Sequence, residues 1–277
     1  MKNVSKILLL VLVLMCPLLV AAQSLPVEVT VQGNTAVARI GNAASPIAEV
    51  ILDFEDASGL TASSVGITAK LVSAVDASLL ARLPAGGLAQ VPAGQPLLIT
   101  IEPPVLGGLS FRGTGRFELH THALPYAIGS SFRVFKAPLN GAFRDTTEEI
   151  AEGSVRARSR YDGFSQFLIV ADLRPTEAVV VEKIGYLRGR VATLPVAERA
   201  DFNALLDALE TSVADHQPNV AIALADDIAA RARARAAVGA IGNEWRATRD
   251  VSNDAGGLIA GSSTLKFSLA YLRDFGL

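Results

Sequence analysis

Cysteine is almost absent from this sequence of 277 residues, which also has only two methionines and one tryptophan. The single cysteine, Cys16, stands in an apolar stretch near the N-terminus, so the remainder of the chain has no disulfide, thiol nucleophile or thiolate metal ligand. The formal net charge of −2 lacks the basic excess that nucleic-acid binding requires. We therefore expect one large or two modest domains held together by ordinary hydrophobic cores.

The first 22 residues have the pattern of an export signal. Lys2 and Lys6 precede the apolar run Ile7 to Val20, and two alanines then precede polar Gln23. A basic start, an apolar centre of about 7–15 residues and small residues at the cut are typical of a secretory leader. We predict cleavage after Ala22 and a mature protein in the periplasm or outside the cell.

Two other fates of the N-terminus stay open. Cys16 is a candidate lipid-attachment residue, although Met15 stands where such sites have a small residue. An uncleaved anchor is the second alternative, but the apolar run is shorter than the ~18 residues that usually span a bilayer. We expect no membrane span once the leader is removed.

Residues 23–174 have the pattern of β-structure. Short segments rich in β-branched and aromatic residues are separated by Gly, Pro, Asn and Asp. Many short strands without helices between them predict an antiparallel β-sandwich domain, with Asp76–Leu83 as a short helical or turn insert. The expected strands are Val27–Gln32, Thr35–Ile40, Ile47–Phe54, Gly66–Val72, Leu97–Glu102, Arg116–Thr121, Phe132–Phe135, Ser154–Arg160 and Phe167–Ala171.

Residues 175–277 have the apolar spacing of helices. Val180, Ile184, Leu187 and Val191 form the apolar stripe of the first, and three more amphipathic stripes follow. Short connections predict an antiparallel bundle of about four helices, which makes the whole chain an α+β protein in two parts. The helices are expected to begin near Thr176, after Pro195, after the break at Asp215–Asn219, and near Asn253.

Several short motifs are spread over both parts of the chain. They are Ile101-Glu-Pro-Pro104, Gly107-Gly-Leu-Ser-Phe111, Glu118-Leu-His-Thr-His122, Trp245-Arg246, Arg249-Asp250 and Thr264-Leu-Lys-Phe-Ser-Leu269. Together they resemble a family of exported proteobacterial proteins of unknown function. The resemblance implies secretion and an immunoglobulin-like β-sandwich with a C-terminal helical bundle, and it implies no activity.

Glu118, His120 and His122 form the most suggestive polar constellation. Alternate residues of a straight strand share one face at about 6.5–7 Å per step, and two imidazoles with a carboxylate suit zinc or copper. Glu118 and His122 are two steps apart, so a shared ion needs a bulge or another chain segment. A solvated polar face is the alternative. Apart from a divalent metal at this face, we expect no cofactor.

Two further groups of residues suggest a ligand. Arg156, Arg158 and Arg160 alternate along one predicted strand and suggest an anion site, but acids nearby in sequence favour a salt-bridged surface. Glycan binding generally uses exposed Trp or Tyr, and this chain has one Trp and four Tyr. Tyr126 is the residue that we would test for a sugar platform.

No catalytic signature is present, so an enzyme is not favoured. Our leading hypothesis is a non-enzymatic exported binding or scaffolding protein, whose partner is another envelope or extracellular protein held in a groove between helices. The alternatives are a metal-binding protein or metal-assisted hydrolase centred on Glu118, His120 and His122, and a glycan-binding module.

Overall fold

The computed structural model describes residues 23–42, 44–151 and 155–276. Within these ranges the chain is an α+β protein with two antiparallel β-sheets and five α-helices. The predicted leader and Cys16 lie outside the described residues, as does Ser154, the first residue of one expected strand.

The first sheet, sheet I, has the strand order β1-β5-β7-β13-β9-β10, and β6 pairs with β13. Its central strand β13 is buried over most of its length because each face of the strand packs in an apolar cluster, with Phe167 and Ile169 on one face and Leu168 and Val170 on the other. The strands are β1 (Gln23–Leu25), β5 (Ile67–Leu71), β6 (Ala89–Gln90), β7 (Leu97–Ile101), β9 (Phe132–Ala137), β10 (Arg144–Asp145) and β13 (Gln166–Asp172).

The second sheet, sheet II, has the order β11-β12-β8-β4-β3-β2, and β14 pairs with β8. Burial alternates along β12, as expected for a strand with one face on a core and one face in water. The strands are β2 (Val27–Gln32), β3 (Thr35–Asn42), β4 (Ser45–Ser58), β8 (Ser110–Thr121), β11 (Thr147–Ala151), β12 (Val155–Tyr161) and β14 (Glu244–Arg246).

Side chains from the two sheets meet in one hydrophobic core. Phe117 on β8 of sheet II stacks on Phe167 on β13 of sheet I, with ring centroids 4.2 Å apart. A second aromatic group packs around Tyr161, which is fully buried and lies against Gly115, where any side chain would overlap the tyrosine ring. The aromatic residues of the strands therefore fill the core, as their β-propensity suggests.

One short helix, α1 (Ala77–Leu80), lies between β5 and β6, within the predicted insert. Asp76 caps it, because its carboxylate accepts hydrogen bonds from the backbone amides of Ser78 and Leu79. Leu79 packs with Phe135 and Leu168, so the insert shares a separate apolar cluster with sheet I.

The other four helices follow β13 and share a core of their own, which includes Leu187, Leu206, Ala225 and Leu265. Pro195 precedes α3 and Asn253 caps α5, as the sequence predicts. The helices are α2 (Thr176–Thr193), α3 (Val196–Ala214), α4 (Pro218–Ala237) and α5 (Asp254–Phe275).

Residues 175–277 are not entirely helical, contrary to the expectation of an all-α part. Strand β14 lies between α4 and α5 and pairs with β8, and its Trp245 stacks on Phe111 in the core of the sheets. Gly163 lies against the indole of Trp245, with no room for a side chain there. A strand of three residues has no detectable periodicity in the sequence, which explains why it was missed.

Candidate functional site

The carboxylate of Glu118, a predicted metal ligand, forms ion pairs with two arginines. Only 5 % of Glu118 is exposed, and its carboxylate lies 2.6 Å from Nε of Arg158 and 3.8 Å from Nη1 of Arg156. Both arginines lie on β12, whose register places Arg158 directly opposite Glu118. A carboxylate held in this way is a poor metal ligand, because a metal would have to displace its charged partners.

The two histidines lie close together without the carboxylate. The rings of His120 and His122 have centroids 4.8 Å apart and are nearly perpendicular. Burial, with smaller effects of the charges of Arg156 and His122, lowers the pKa of His120. Within the described ranges, no group of three or more His, Cys, Asp or Glu side chains could hold a metal ion. The structure therefore gives the three-ligand hypothesis no geometric support.

The arginines of β12 belong to a network of ion pairs across the outer face of sheet II. Arg158 also lies 2.6 Å from Glu149 of β11, and Arg160 lies 2.9 Å from Glu148. Cross-strand pairs of opposite charge stabilise adjacent strands modestly. Each of these arginines thus has acidic partners, which favours the salt-bridged surface over the anion site.

A buried ion pair joins the helices to the outer side of the β9–β10 ladder. Lys183 of α2 lies 2.7 Å from Oδ2 of Asp145 on β10, and both residues are at least 95 % buried. Lys183 also donates to the carbonyl of Thr264 and to Oγ of Ser268, both on α5. Two hydrogen bonds and one ion pair therefore hold the ammonium group, which fits a structural cation better than a nucleophile.

Burial and neighbouring charges shift the pKa values of both Lys183 and Asp145. Burial lowers the pKa of Lys183, and the attraction of Asp145 offsets this only in part. Burial would raise the pKa of Asp145, but Lys183 and Arg133 outweigh it, so that pKa is lowered. The contacts of Lys183 with Asp145 and with two residues of α5 join α2 and α5 to the sheet.

A second ionic cluster lies on the opposite side of the same ladder. Lys136 of β9 is 3.2 Å from Asp162, and Arg190 of α2 is 3.7 Å from the other carboxylate oxygen of Asp162. Burial would raise the pKa of Asp162, but Lys136, Arg190 and Arg144 outweigh it and lower the pKa to about 2. The guanidinium of Arg144 stacks on the ring of Tyr186, 3.8 Å from its centroid. Helix α2 thus contacts charges on both faces of the ladder.

An apolar groove opens at the end of the helices where α2 begins and α5 ends. Its volume is about 470 Å³, within the ~300–1,000 Å³ range of ligand pockets. All four long helices or their connections contribute. The lining residues are Glu177, Val181, Val213, Ala214, His216, Gln217, Pro218, Leu269, Leu272, Arg273 and Gly276.

The groove contains one residue that the sequence analysis discussed only as part of a helix break. His216 follows the end of α3 in a left-handed backbone conformation and lines the groove. The other lining residues carried no sequence signal, because they come from four separate segments that only the fold brings together.

A family model matches residues 10–273 of this chain, and its description is Family of unknown function (DUF6689). The chain belongs to this family. The match extends over both sheets and all the helices, so it confirms the resemblance to an unknown-function family and assigns no activity to this DUF6689 member. No protein with a curated description matches the chain.

Other features of this DUF6689 member bear on the remaining hypotheses. Trp245 is buried in the core of the sheets, and Tyr161 is fully buried, so neither offers a flat surface to a sugar. Tyr126 is half-buried in the segment between β8 and β9. Of the helices that the structure describes, none combines the length and the hydropathy needed to cross a bilayer.

Proposed function

We propose that this protein is an exported, non-enzymatic binding or scaffolding protein that holds an apolar segment of another envelope or extracellular protein in the groove at the end of its helices. The observation that carries the proposal is the groove itself, which is formed by four helical segments and has a largely apolar lining. Helical grooves of this kind are a common way of recognising peptide segments.

The exposure of the lining supports an apolar occupant. Val181 of α2 is 65 % exposed although it lies beside Leu269, which is fully buried at the groove floor. Covering Val181 and its neighbours would remove apolar surface from water, at about 25 cal/mol for each Å² buried. A segment with two or three apolar side chains suits a groove of this volume.

An acidic residue at the rim of the groove favours a partner segment that carries a basic residue. Glu177, in the first turn of α2, is exposed, and no cation among the described residues lies within ion-pair distance of it. Arg273, by contrast, is already paired with Asp274 and bonded to Asn219. A Lys or Arg next to the apolar side chains of the partner would therefore meet an available carboxylate.

In this proposal the two sheets form the base on which the helices of the groove are held. We infer that sheets I and II form the immunoglobulin-like β-sandwich that the sequence predicts, because both contribute to one core. The ion pair of Lys183 with Asp145 then holds the helices rigidly against it. Export to the periplasm or the cell exterior is part of the proposal and is supported by the leader pattern.

Site-specific photo-crosslinking tests the proposal. A photoreactive residue replaces Val181 in the mature chain, and a matched probe replaces Val196, which is 77 % exposed on α3 and does not line the groove. We expect the Val181 probe alone to label one envelope protein, through an apolar segment with an adjacent basic residue. Equal labelling at both positions, or labelling of a polar segment, would contradict the proposal.

The histidine pair supports one second candidate, a metal-binding protein. His120 and His122 are close enough to share an ion, although Glu118 is bound to arginines. Elemental analysis of purified protein, with the double variant His120→Ala/His122→Ala as control, decides this candidate. Metal that is lost in the variant would support it, and equal metal content in both proteins would exclude it.

A further inference from the structure

Arg133 is a buried cation at the wall of a second cavity, separate from the groove. Only 6 % of Arg133 is exposed. Arg133 lies on the same face of β9 as Phe135, whose partner on the adjacent strand β10 is Asp145. The cavity has a volume of about 280 Å³, near the ~300 Å³ lower end of ligand pockets. It lies between the ends of β9 and β13, the start of α2 and the last turns of α5.

Arg133 has no acidic partner within ion-pair distance among the described residues. Its Nη1 donates to the carbonyls of Ser130 and Phe132, at 2.6 and 2.8 Å. Its guanidinium stacks on the rings of Tyr271 and Phe267, with its carbon 4.3 and 5.1 Å from their centroids. These contacts fix the orientation of the guanidinium but supply no negative charge.

The other charges around the cavity are already paired with one another. Asp172 forms two hydrogen bonds with Arg174, which also pairs with Glu182. Asp145 pairs with Lys183 and accepts two hydrogen bonds from Thr147. These three acids and the three cations Arg133, Arg174 and Lys183 make the group neutral overall. Arg133 acts on Asp145 only from beyond ion-pair distance, so it is the one of these three cations without an ion pair of its own.

The start of α2 is a second feature of the cavity wall that favours an anion. Pro175 caps this helix without a side-chain hydrogen bond, and Thr176 and Val179 of its first turns line the cavity. The amide groups at a helix N-terminus favour an anion, by a few tenths to about 1 kcal/mol when exposed. This observation is independent of the missing partner of Arg133 and points to the same ligand charge.

We propose that this cavity binds a small monocarboxylate with an apolar body, whose carboxylate pairs with Arg133. A planar guanidinium matches a carboxylate in a two-bond arrangement, while Leu173, Phe267 and Tyr271 offer apolar surface to the rest of the ligand. A multiply charged anion such as phosphate suits the cavity less, because the carboxylate of Asp172 is also in its wall. The site is independent of the groove and of its partner.

Binding of benzoate to the mature protein tests the proposal, with benzamide as the neutral isostere and inorganic phosphate as the competing anion. Backbone amide NMR shifts report the location, and thermal unfolding reports stabilisation. We expect benzoate to shift the amides of Gly129, Ser131 and Thr176 and to raise the melting temperature, while benzamide and phosphate do neither. Equal effects of benzamide, saturating binding of phosphate, or benzoate shifts confined to other surfaces would overturn the proposal.

The variant Arg133→Gln identifies the residue responsible. We expect its benzoate affinity to fall at least tenfold. The control Arg82→Gln removes a guanidinium that also stacks on a phenylalanine, Phe143, and donates to a carbonyl. Arg82 bonds Gln166 at the start of β13, whereas Arg133 lies opposite Val170 near the end of that strand. It should bind benzoate as the parent does. If Arg133→Gln does not fold, the location of the benzoate shifts in the parent protein still decides the question.

Discussion

Replacement of Lys183 by methionine tests whether the buried ion pair fixes the helices to the sheets. The variant Lys183→Met keeps most of the side-chain volume but leaves the carboxylate of Asp145 buried without its cation. Breaking one partner of a buried pair typically costs about 3–5 kcal/mol. We expect a loss of that size in the free energy of unfolding, measured by urea denaturation.

Two signals make this measurement specific. The fluorescence of Trp245, the single tryptophan, reports the core of the sheets, and far-ultraviolet circular dichroism reports mainly the helices. The control Arg188→Met removes a cation from the same helix that pairs with Asp207 and Glu210 on the surface, where the cost is about 0–1 kcal/mol.

A double-mutant cycle isolates the pair itself. Asp145→Asn keeps an oxygen that can accept from Thr147, and we expect the combination with Lys183→Met to cost about 1–3 kcal/mol less than the sum of the two single changes. A loss under about 1 kcal/mol for Lys183→Met, or additivity in the cycle, would refute the structural role of the pair.

Three further predictions concern stability. The folded-state pKa of Asp162 is about 2, below its usual value of 3.8, so its ionised form adds about 2 kcal/mol to the free energy of unfolding above pH ~4, and this contribution is lost as the pH falls through ~2. In urea unfolding measured between pH ~2 and ~5, Asp162→Asn should therefore weaken the dependence of stability on pH. An unchanged pH dependence would contradict the prediction. Asn253→Ala should cost about 2–3 kcal/mol in urea unfolding, because the amide caps α5 and donates to the carbonyls of Gly113 and Asp162; a cost under about 0.5 kcal/mol would show that this tie is dispensable. Gly115→Ala should lower the melting temperature, since its methyl group would lie about 2.1 Å from the ring of Tyr161, whereas Gly185→Ala on the exposed face of α2 should raise it; effects of equal sign would be inconsistent with this packing.

Much of the secondary structure could be predicted from local patterns. Alternation and turn residues gave most strands, and Pro195 and Asn253 marked the starts of α3 and α5, because these signals act over a few neighbouring residues. The very short elements β10 and β14 have too few residues for a periodic signal. The division into domains at residues 174 and 175 stays a prediction.

The functional surfaces could be predicted much less well. The sequence places Glu118 and His120 on one strand, with His122 just after its last residue, Thr121. It does not show that Arg158 lies across from Glu118, since strand register is a long-range property. In the same way, Lys183 and Asp145 meet only because α2 packs against β10. The groove and the cavity beside Arg133 are each formed by residues from separate segments of the chain. No local sequence motif therefore predicts them.

The binding of the crosslinked partner segment to groove variants tests the central claim most directly. A synthetic peptide of that segment is titrated against the mature protein, against Val181→Asp, and against the control Val196→Asp. We predict that Val181→Asp weakens binding at least tenfold, because a carboxylate would be buried against the apolar side chains of the peptide, while Val196→Asp leaves the affinity unchanged. Equal affinity of the peptide for both variants would contradict the claim that the groove is the binding site.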